Sequence, residues 1–265
     1  MREPAVSGRF YPSEPRTLRE SVVSYLGDCS REREAIVVVA PHAGYVYSGA
    51  IAGAAYAAAR VPETVVVLGP NHTGAGARAA IITAGRFRTP SGDIAIDERL
   101  AGLVREKADL TEDTRAHARE HGIEVHLPFL WERRAEVRIV PICLGGLAYE
   151  DCARLGKAIA DAVRAVGGRV LIVSSTDMSH YVPATVAARL DGLAIDRALS
   201  LDAPGLYETV TRHDISMCGL VPTTVALEAA RDLGASDAEL VRYGNSGDVN
   251  GDVDHVVGYA GLVVS

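Results

Sequence analysis

Two apolar, β-branched runs in the first quarter of the chain end in the same polar pattern. Residues 35–40 lead directly into Pro41-His42-Ala43-Gly44, and residues 64–68 lead into Gly69-Pro70-Asn71-His72. Continuous apolar runs of this length are typical of parallel strands buried on both faces. Ligands of open α/β sheets bind at the carboxyl ends of the strands. We therefore expect both imidazoles at one edge of a sheet.

Strand and helix patterns alternate along most of the remaining chain. Further strands are predicted at 79–83, 93–96, 137–142, 169–174, 239–243 and 256–264. Helices are predicted at 49–59 after a Ser48 cap, from the Asp97 cap to about 107, and at 149–166, 183–201, 203–211 and 221–233. This order predicts a single α/β domain over 1–265, with a mostly parallel sheet covered by helices.

Composition excludes several classes of protein. The 265 residues carry a formal net charge of −7, and no run of basic residues suggests a nucleic-acid partner. No apolar stretch approaches the roughly 20 residues that span a bilayer, and the first residues lack the apolar core of a signal peptide. We therefore expect no membrane partner and a cytoplasmic protein. The four cysteines form no CxxC pair, which argues against a zinc ribbon or a thioredoxin motif.

The matched positions of His42 and His72 favour a shared metal ion. A single loop histidine is more often satisfied by a backbone carbonyl, but two at equivalent strand ends are better explained by a common ligand. Imidazole suits zinc, copper and iron alike, so these two residues alone do not identify the metal.

Asp177 and His180 follow the predicted strand 169–174, and they are candidates for acid–base chemistry. If the segment turns helically, the carboxylate is close enough to orient the imidazole. The alternative is that Asp177 caps the following helix, which would leave His180 free to act.

Cys218 lies between polar residues and a glycine at the boundary of an element. A free cysteine is most often a small core residue. As a thiolate, Cys218 would instead be a third metal ligand or a nucleophile.

Two polar segments are candidates for the lining of a pocket. His121, Glu124 and His126 lie in a run whose spacing fits neither HExxH nor HxxEH, so a zinc-protease motif is absent. The alternative for this run is a solvated, charged surface segment. Tyr47 lies in the segment 44–49, which begins and ends with glycine and leads into a predicted helix. The backbone amides of this segment could bind an anion, although the segment matches no nucleotide-binding motif.

Seven short motifs, taken together and in this order, resemble the Memo family, whose bacterial and archaeal members are called AmmeMemoRadiSam system protein B. They are GRFYP (8–12), PHAGYVYSG (41–49), GPNH (69–72), EHGIEVHLP (120–128), DMSHY (177–181), MCG (217–219) and SGDV (246–249). The resemblance implies a fold like that of the class III extradiol dioxygenases, with a mixed sheet and a metal at the strand ends. By motif, His42, His72 and Cys218 match the metal-ligand positions. His180 matches the acid–base position, with Asp177 beside it.

The resemblance also implies a cofactor and partners. Iron(II) is the expected metal, with copper or zinc as alternatives. A thiolate replaces the carboxylate of the dioxygenase site, and it favours copper(I) or zinc more than a carboxylate does. Animal members are described as adaptors that bind phosphotyrosine peptides and as metal-dependent redox proteins. The prokaryotic name implies a radical-SAM partner protein.

Three functions remain open at this stage. The first is a metal-dependent redox enzyme, dioxygenase-like, that acts on an unidentified small-molecule or peptide ligand. The second is a metal- or phosphopeptide-binding adaptor without turnover. The third is a hydrolase with Cys218 as its nucleophile.

Overall fold

One mixed sheet runs through the molecule, and the computed structural model describes all residues from 1 to 265. The strands are β1 (Val37–Ala40), β2 (Thr64–Pro70), β3 (Ala79–Ile81), β4 (Arg86–Thr89), β5 (Gly92–Ile96), β6 (Thr111–Glu112), β7 (Arg138–Leu144), β8 (Val170–Ser175), β9 (His180–Val182), β10 (Ala238–Asn245) and β11 (Val256–Val264). Their main order is β10-β11-β1-β8-β2-β7-β3-β6, while β4 and β5 join through β7, and β9 joins through β11.

Helices flank the sheet. They are α1 (Pro15–Leu26), α2 (Tyr45–Ala58), α3 (Glu98–Ala108), α4 (Thr114–Ala118), α5 (Leu127–Arg133), α6 (Tyr149–Val166), α7 (Ala184–Leu199), α8 (Ala203–Arg212), α9 (Leu220–Asp232) and α10 (Gly247–Asn250). The prediction of one α/β domain with a mixed or mostly parallel sheet and flanking helices agrees with this architecture. None of the helices combines the length and the apolarity needed to cross a bilayer.

Parallel pairing dominates the centre of the sheet, and it also joins β5 to β7 and β6 to β3. The central strands β1, β8, β2 and β7 run parallel to one another, whereas β11 pairs antiparallel with β1 and with β10, and β3 pairs antiparallel with β7. The four parallel strands are almost wholly buried, as their apolar sequences predict. Their carboxyl ends therefore open at one edge of the sheet.

The structure corrects several predicted elements. Helix α2 begins at Tyr45, and Ser48 lies inside its first turn, where its hydroxyl donates to Ala43 O at 2.9 Å. Ser48 therefore does not cap the helix. The Asp97 cap of α3 is confirmed by its hydrogen bond from the Leu100 amide. Helices α1, α4 and α5 and strands β4, β6 and β9 were not predicted, since most of them are short and tertiary contacts decide them.

Glycine allows α1 and α2 to approach closely. A Cβ atom added at Gly53 would lie 2.3 Å from the carbonyl oxygen of Tyr25, an atom of the backbone that cannot rotate away. A Cβ added at Gly102 on the exposed side of α3 meets nothing within 4 Å. Both glycines lie within a helix, but Gly53 is covered by α1, whereas Gly102 faces solvent.

Gly53→Ala should therefore destabilise the protein, by about 1–3 kcal/mol, because the helices must separate to accept the methyl group. Gly102→Ala should stabilise it, by about 0.5–1 kcal/mol, because alanine favours the helix and meets no neighbour. Urea unfolding of both variants measures the difference. Equal effects would show that α1 and α2 are not packed this closely.

Candidate metal centre

Three polar residues follow the ends of three adjacent strands. His42 comes two residues after β1, Asp177 two residues after β8, and His72 two residues after β2. Strand β8 lies between the other two, with Ala40 of β1 aligned with Ser175 of β8. The parallel register therefore gathers the side chains at one edge, as the sequence predicts.

Cys218 reaches the same edge from the loop before α9. A Cβ atom at Gly219 would lie 2.2 Å from Thr176 Cβ, and the Gly219 amide donates to Thr176 Oγ1 at 3.0 Å. Glycine is required here because the loop runs directly against the end of β8. This contact places the Cys218 thiol beside the histidines.

The donor atoms of His42, His72 and Cys218 lie close together. One donor atom from each of these residues lies within 4.8 Å of the other two, and His42 Nε2 is 3.3 Å from Cys218 Sγ. The rings of His42 and His72 are 4.9 Å apart between centroids. A bound ion needs a similar convergence of donors, with Zn–N near 2.0–2.1 Å and Zn–S near 2.3 Å. Metal binding itself stays a prediction.

A carboxylate orients the second histidine. His72 Nδ1 lies 2.8 Å from Glu120 Oε1, and its backbone amide donates to Glu120 Oε2 at 2.7 Å. Burial raises the pKa of Glu120, but the hydrogen bond and charge of His72 outweigh it, so the pKa stays below its usual range. The carboxylate accepts only, so the His72 proton lies on Nδ1 and the Nε2 lone pair is free for a metal.

Comparison with known proteins agrees with the motifs. The family model for Memo-like proteins matches residues 2–263. MEMO1 family proteins of Methanosarcina barkeri and Methanopyrus kandleri are 43% and 42% identical, over 267 and 277 residues. The alignment covers all of both chains for the first, and 99% of this chain and 98% of the relative for the second. A relative from Pyrobaculum arsenaticum is 37% identical over 276 residues.

This chain belongs to the Memo family. The family resemblance drawn from the motifs is thereby confirmed, and it extends over nearly the whole chain. The likeness of the fold to extradiol dioxygenases stays an expectation.

Asp177 has a different role from either of those predicted. Its carboxylate accepts hydrogen bonds from the amides of His42 at 2.8 Å and Ala43 at 3.3 Å, so it fixes the turn after β1. It does not cap the next helix, whose N-cap is Pro183. Burial raises the pKa of Asp177 to about 6.

His180 is not oriented by Asp177. The segment is extended rather than helical, because His180 begins β9, and its Nδ1 lies 2.8 Å from Ser216 O. A carbonyl oxygen only accepts, so Nδ1 carries a proton, and the neutral ring has its lone pair on Nε2. The prediction that Asp177 orients His180 was therefore wrong, although Nε2 is left free to accept a proton.

Of the four predicted pocket residues, only His121 adjoins the donor atoms. Its ring stacks on that of His72 with centroids 4.5 Å apart, and burial lowers its pKa to about 4. His126 is fully buried, and its Nε2 lies 2.8 Å from Ser175 Oγ. It therefore contacts the serine that in turn contacts His42, and it does not line the pocket itself. Tyr47 is 38% exposed in the first turn of α2, and its place in the pocket stays a prediction.

Glu124 is not a pocket residue. Its carboxylate is fully buried, pairs with the Arg2 guanidinium, and accepts from the Ala5 and Val6 amides and the Tyr11 hydroxyl. A buried carboxylate needs such partners because desolvation of an unpaired charge is costly. Glu124 therefore fastens the N-terminal segment to the loop that carries Glu120, and the pocket prediction was wrong.

Glu120 and Ser175 contact the two histidines directly, and neither was predicted as a site residue. Glu120 is 48 residues from His72, and Ser175 is 133 residues from His42. Glu120 adjoins the predicted pocket residue His121, but no spacing in the chain connects either missed residue to its histidine. Only the fold brings them together.

The geometry gives limited support to a Cys218 nucleophile. His42 Nε2 is near enough to serve as a base, at 3.3 Å. However, burial, followed by the charge of Asp177, raises the pKa of the Cys218 thiol well above its usual range. A reactive nucleophilic cysteine requires the opposite shift. Without a bound cation the sulfur is therefore a neutral thiol.

Buried histidines should make the metal-free protein sensitive to acid. Burial lowers the pKa of His117 to about 4, against 6.5 for an exposed imidazole, and that of His126 to about 3. The unfolded chain therefore takes up protons first as the pH falls below 6.5, and stability is lost down to about pH 4. Asp177 opposes this trend, since its raised pKa makes the folded state bind the proton first.

His117→Leu should reduce this dependence by up to about 1.4 kcal/mol per pH unit between pH 6 and pH 4.5, because one depressed imidazole is removed. Urea unfolding at several pH values measures the slope. At pH 8 the His117 ring is neutral in both the folded and the unfolded state. The difference in unfolding free energy between variant and parent at that pH therefore reports only the change in packing. An unchanged slope would contradict the role given to His117.

Proposed function

We propose that this Memo-family protein is a non-haem, metal-dependent redox protein that holds iron(II) or copper with His42, His72 and Cys218. The observation that carries the proposal is the convergence of their donor atoms within 4.8 Å at the ends of adjacent strands. The Cys218 side chain is half-buried, and the His42 ring beside it is buried.

The donor set fits a transition metal. His42 Nε2 and His72 Nε2 are the candidate nitrogen ligands, and a cation would replace the proton of the Cys218 thiol. Two imidazoles and one thiolate leave coordination positions open, and they suit iron, copper or zinc. Iron or copper, when bound, would supply one-electron chemistry toward oxygen or a reducing substrate.

The protein supplies groups that hold protons beside the donor atoms. In the neutral His180 ring the proton lies on Nδ1, which faces Ser216 O, so Nε2 can accept a proton from a bound ligand. The Asp177 carboxyl, with Oδ2 3.9 Å from His42 Nε2 and a pKa of about 6, can exchange a proton near neutral pH. We assign His180 as the acid–base residue, with Asp177 holding the turn that carries His42.

The proposed function also includes a ligand, a partner protein and a cytoplasmic location. The ligand is a small molecule or peptide that enters at the strand ends, and the family resemblance suggests a radical-SAM protein as a partner. Free thiols persist in a reducing compartment, so the four free cysteines favour the cytoplasm.

Metal analysis after anaerobic purification tests the donor set. We expect about one iron or copper per chain, with a thiolate charge-transfer absorption. Cys218→Ser should lower metal content at least tenfold and abolish the absorption, because the hard hydroxyl is a poor ligand. Cys29→Ser is the matched control, since Cys29 is also a free cysteine. Absence of stoichiometric metal, even after reconstitution, would contradict the proposal.

His180→Gln tests turnover separately from metal binding. The variant should keep its metal and lose about 10²–10⁴-fold of any metal-dependent oxygen uptake, because a proton acceptor is removed. An oxygen electrode with catechols, thiols and ascorbate measures the rate. Stable metal binding without oxygen uptake in the parent would instead favour the adaptor without turnover.

A further inference from the structure

Ser175 is fully buried at the end of β8, and its hydroxyl contacts three groups. The oxygen lies 2.7 Å from His42 Nδ1 and 2.8 Å from His126 Nε2, and it hydrogen-bonds the carbonyl oxygen of Gly122. A hydroxyl has one proton and two lone pairs. Three partners therefore use its full hydrogen-bonding capacity.

The chemistry of the partners fixes where each proton lies. Gly122 O can only accept, so the single hydroxyl proton of Ser175 is directed to it. Both imidazole nitrogens must then donate to the oxygen. His42 consequently carries its proton on Nδ1, and its Nε2 presents a lone pair toward Cys218 Sγ at 3.3 Å.

The reverse arrangement is unfavourable. If Ser175 donated to His42, the buried carbonyl of Gly122 would lose its donor, and an unmade buried hydrogen bond is costly. The His42 proton would then move to Nε2, and that nitrogen could no longer bind a metal. The network thus selects the tautomer that a ligand requires.

His126 completes the network from the far side of the serine. Its ring is fully buried, and Nδ1 has no hydrogen-bond partner, so Nε2 makes the only polar contact of the side chain. The His42 N–H occupies one lone pair of the Ser175 oxygen, and the His126 Nε2–H occupies the other. The hydroxyl proton of Ser175 can then point only toward Gly122 O. This accounts for a polar ring at a position that is otherwise surrounded by core.

We propose that Ser175 and His126 are positioning residues that hold His42 in its Nδ1-protonated tautomer and thereby keep Nε2 available as a ligand. The consequence for metal binding rests on the proposed metal centre. The tautomer itself is a property of the metal-free protein and can be measured without an ion.

Long-range ¹H–¹⁵N correlation spectra of the metal-free, histidine-labelled protein report the tautomer directly. We expect His42 protonated on Nδ1 and His126 on Nε2, with the His42 signals assigned by their loss in His42→Gln. Protonation of His42 on Nε2 in the parent protein would overturn the proposal, and the variant serves only to assign the signals.

Ser175→Ala and Ser174→Ala form a matched pair. Ser174 is the preceding residue of β8, equally buried, and its hydroxyl bonds Thr223 on the opposite face of the sheet. Ser175→Ala should lose the Nδ1 tautomer of His42 and bind Zn²⁺ about 10–100-fold more weakly in chelator competition. Ser174→Ala should change neither. Equal Zn²⁺ affinities for the two variants would overturn the role of Ser175.

His126→Gln and His126→Met separate the donor from the volume of the side chain. Glutamine keeps an N–H for Ser175 and should retain Zn²⁺ affinity, whereas methionine should weaken it by about tenfold. Equal affinities would remove His126 from the proposal. Failure of the parent to bind Zn²⁺, with His42 still protonated on Nδ1, would refute the metal centre and leave the tautomer assignment supported.

Discussion

The parallel pairing of β1, β8 and β2 is the constraint on which the site depends. Parallel neighbours end at the same edge of a sheet, so the residues that follow them meet there regardless of their distance along the chain. His42, Asp177 and His72 are gathered in this way, and the loop before α9 adds Cys218. The antiparallel strands β10, β11 and β3 extend the sheet without adding a donor atom to this group.

A second constraint is that buried polar groups must be paired. His72 pairs with the buried Glu120 carboxylate, Ser175 pairs with the buried His42 ring, and the amides after β1 pair with the buried Asp177 carboxylate. Each contact also fixes the orientation or the tautomer of a histidine that belongs to the candidate donor set. The contacts that satisfy these buried hydrogen bonds therefore also orient the candidate metal donors.

The charge state of Cys218 separates the candidate chemistries. Burial and the nearby Asp177 carboxylate raise the pKa of the thiol, which disfavours a free thiolate nucleophile. A cation reverses this balance, because it stabilises the thiolate that burial penalises. The same environment that makes Cys218 a poor nucleophile is therefore compatible with a metal ligand.

Sequence alone determined the fold class and the family, and it predicted the three candidate donor residues, with Cys218 favoured by the family motifs. Long β-branched runs identify buried strands, and a histidine directly after such a run must lie at the sheet edge. Tertiary structure decided which residues orient the donors. Glu120 and Ser175 act across 48 and 133 residues, and Glu124 serves the N-terminal segment rather than the pocket. Hydrogen bonds between such distant residues have no periodicity in the chain, so only the packed fold reveals them.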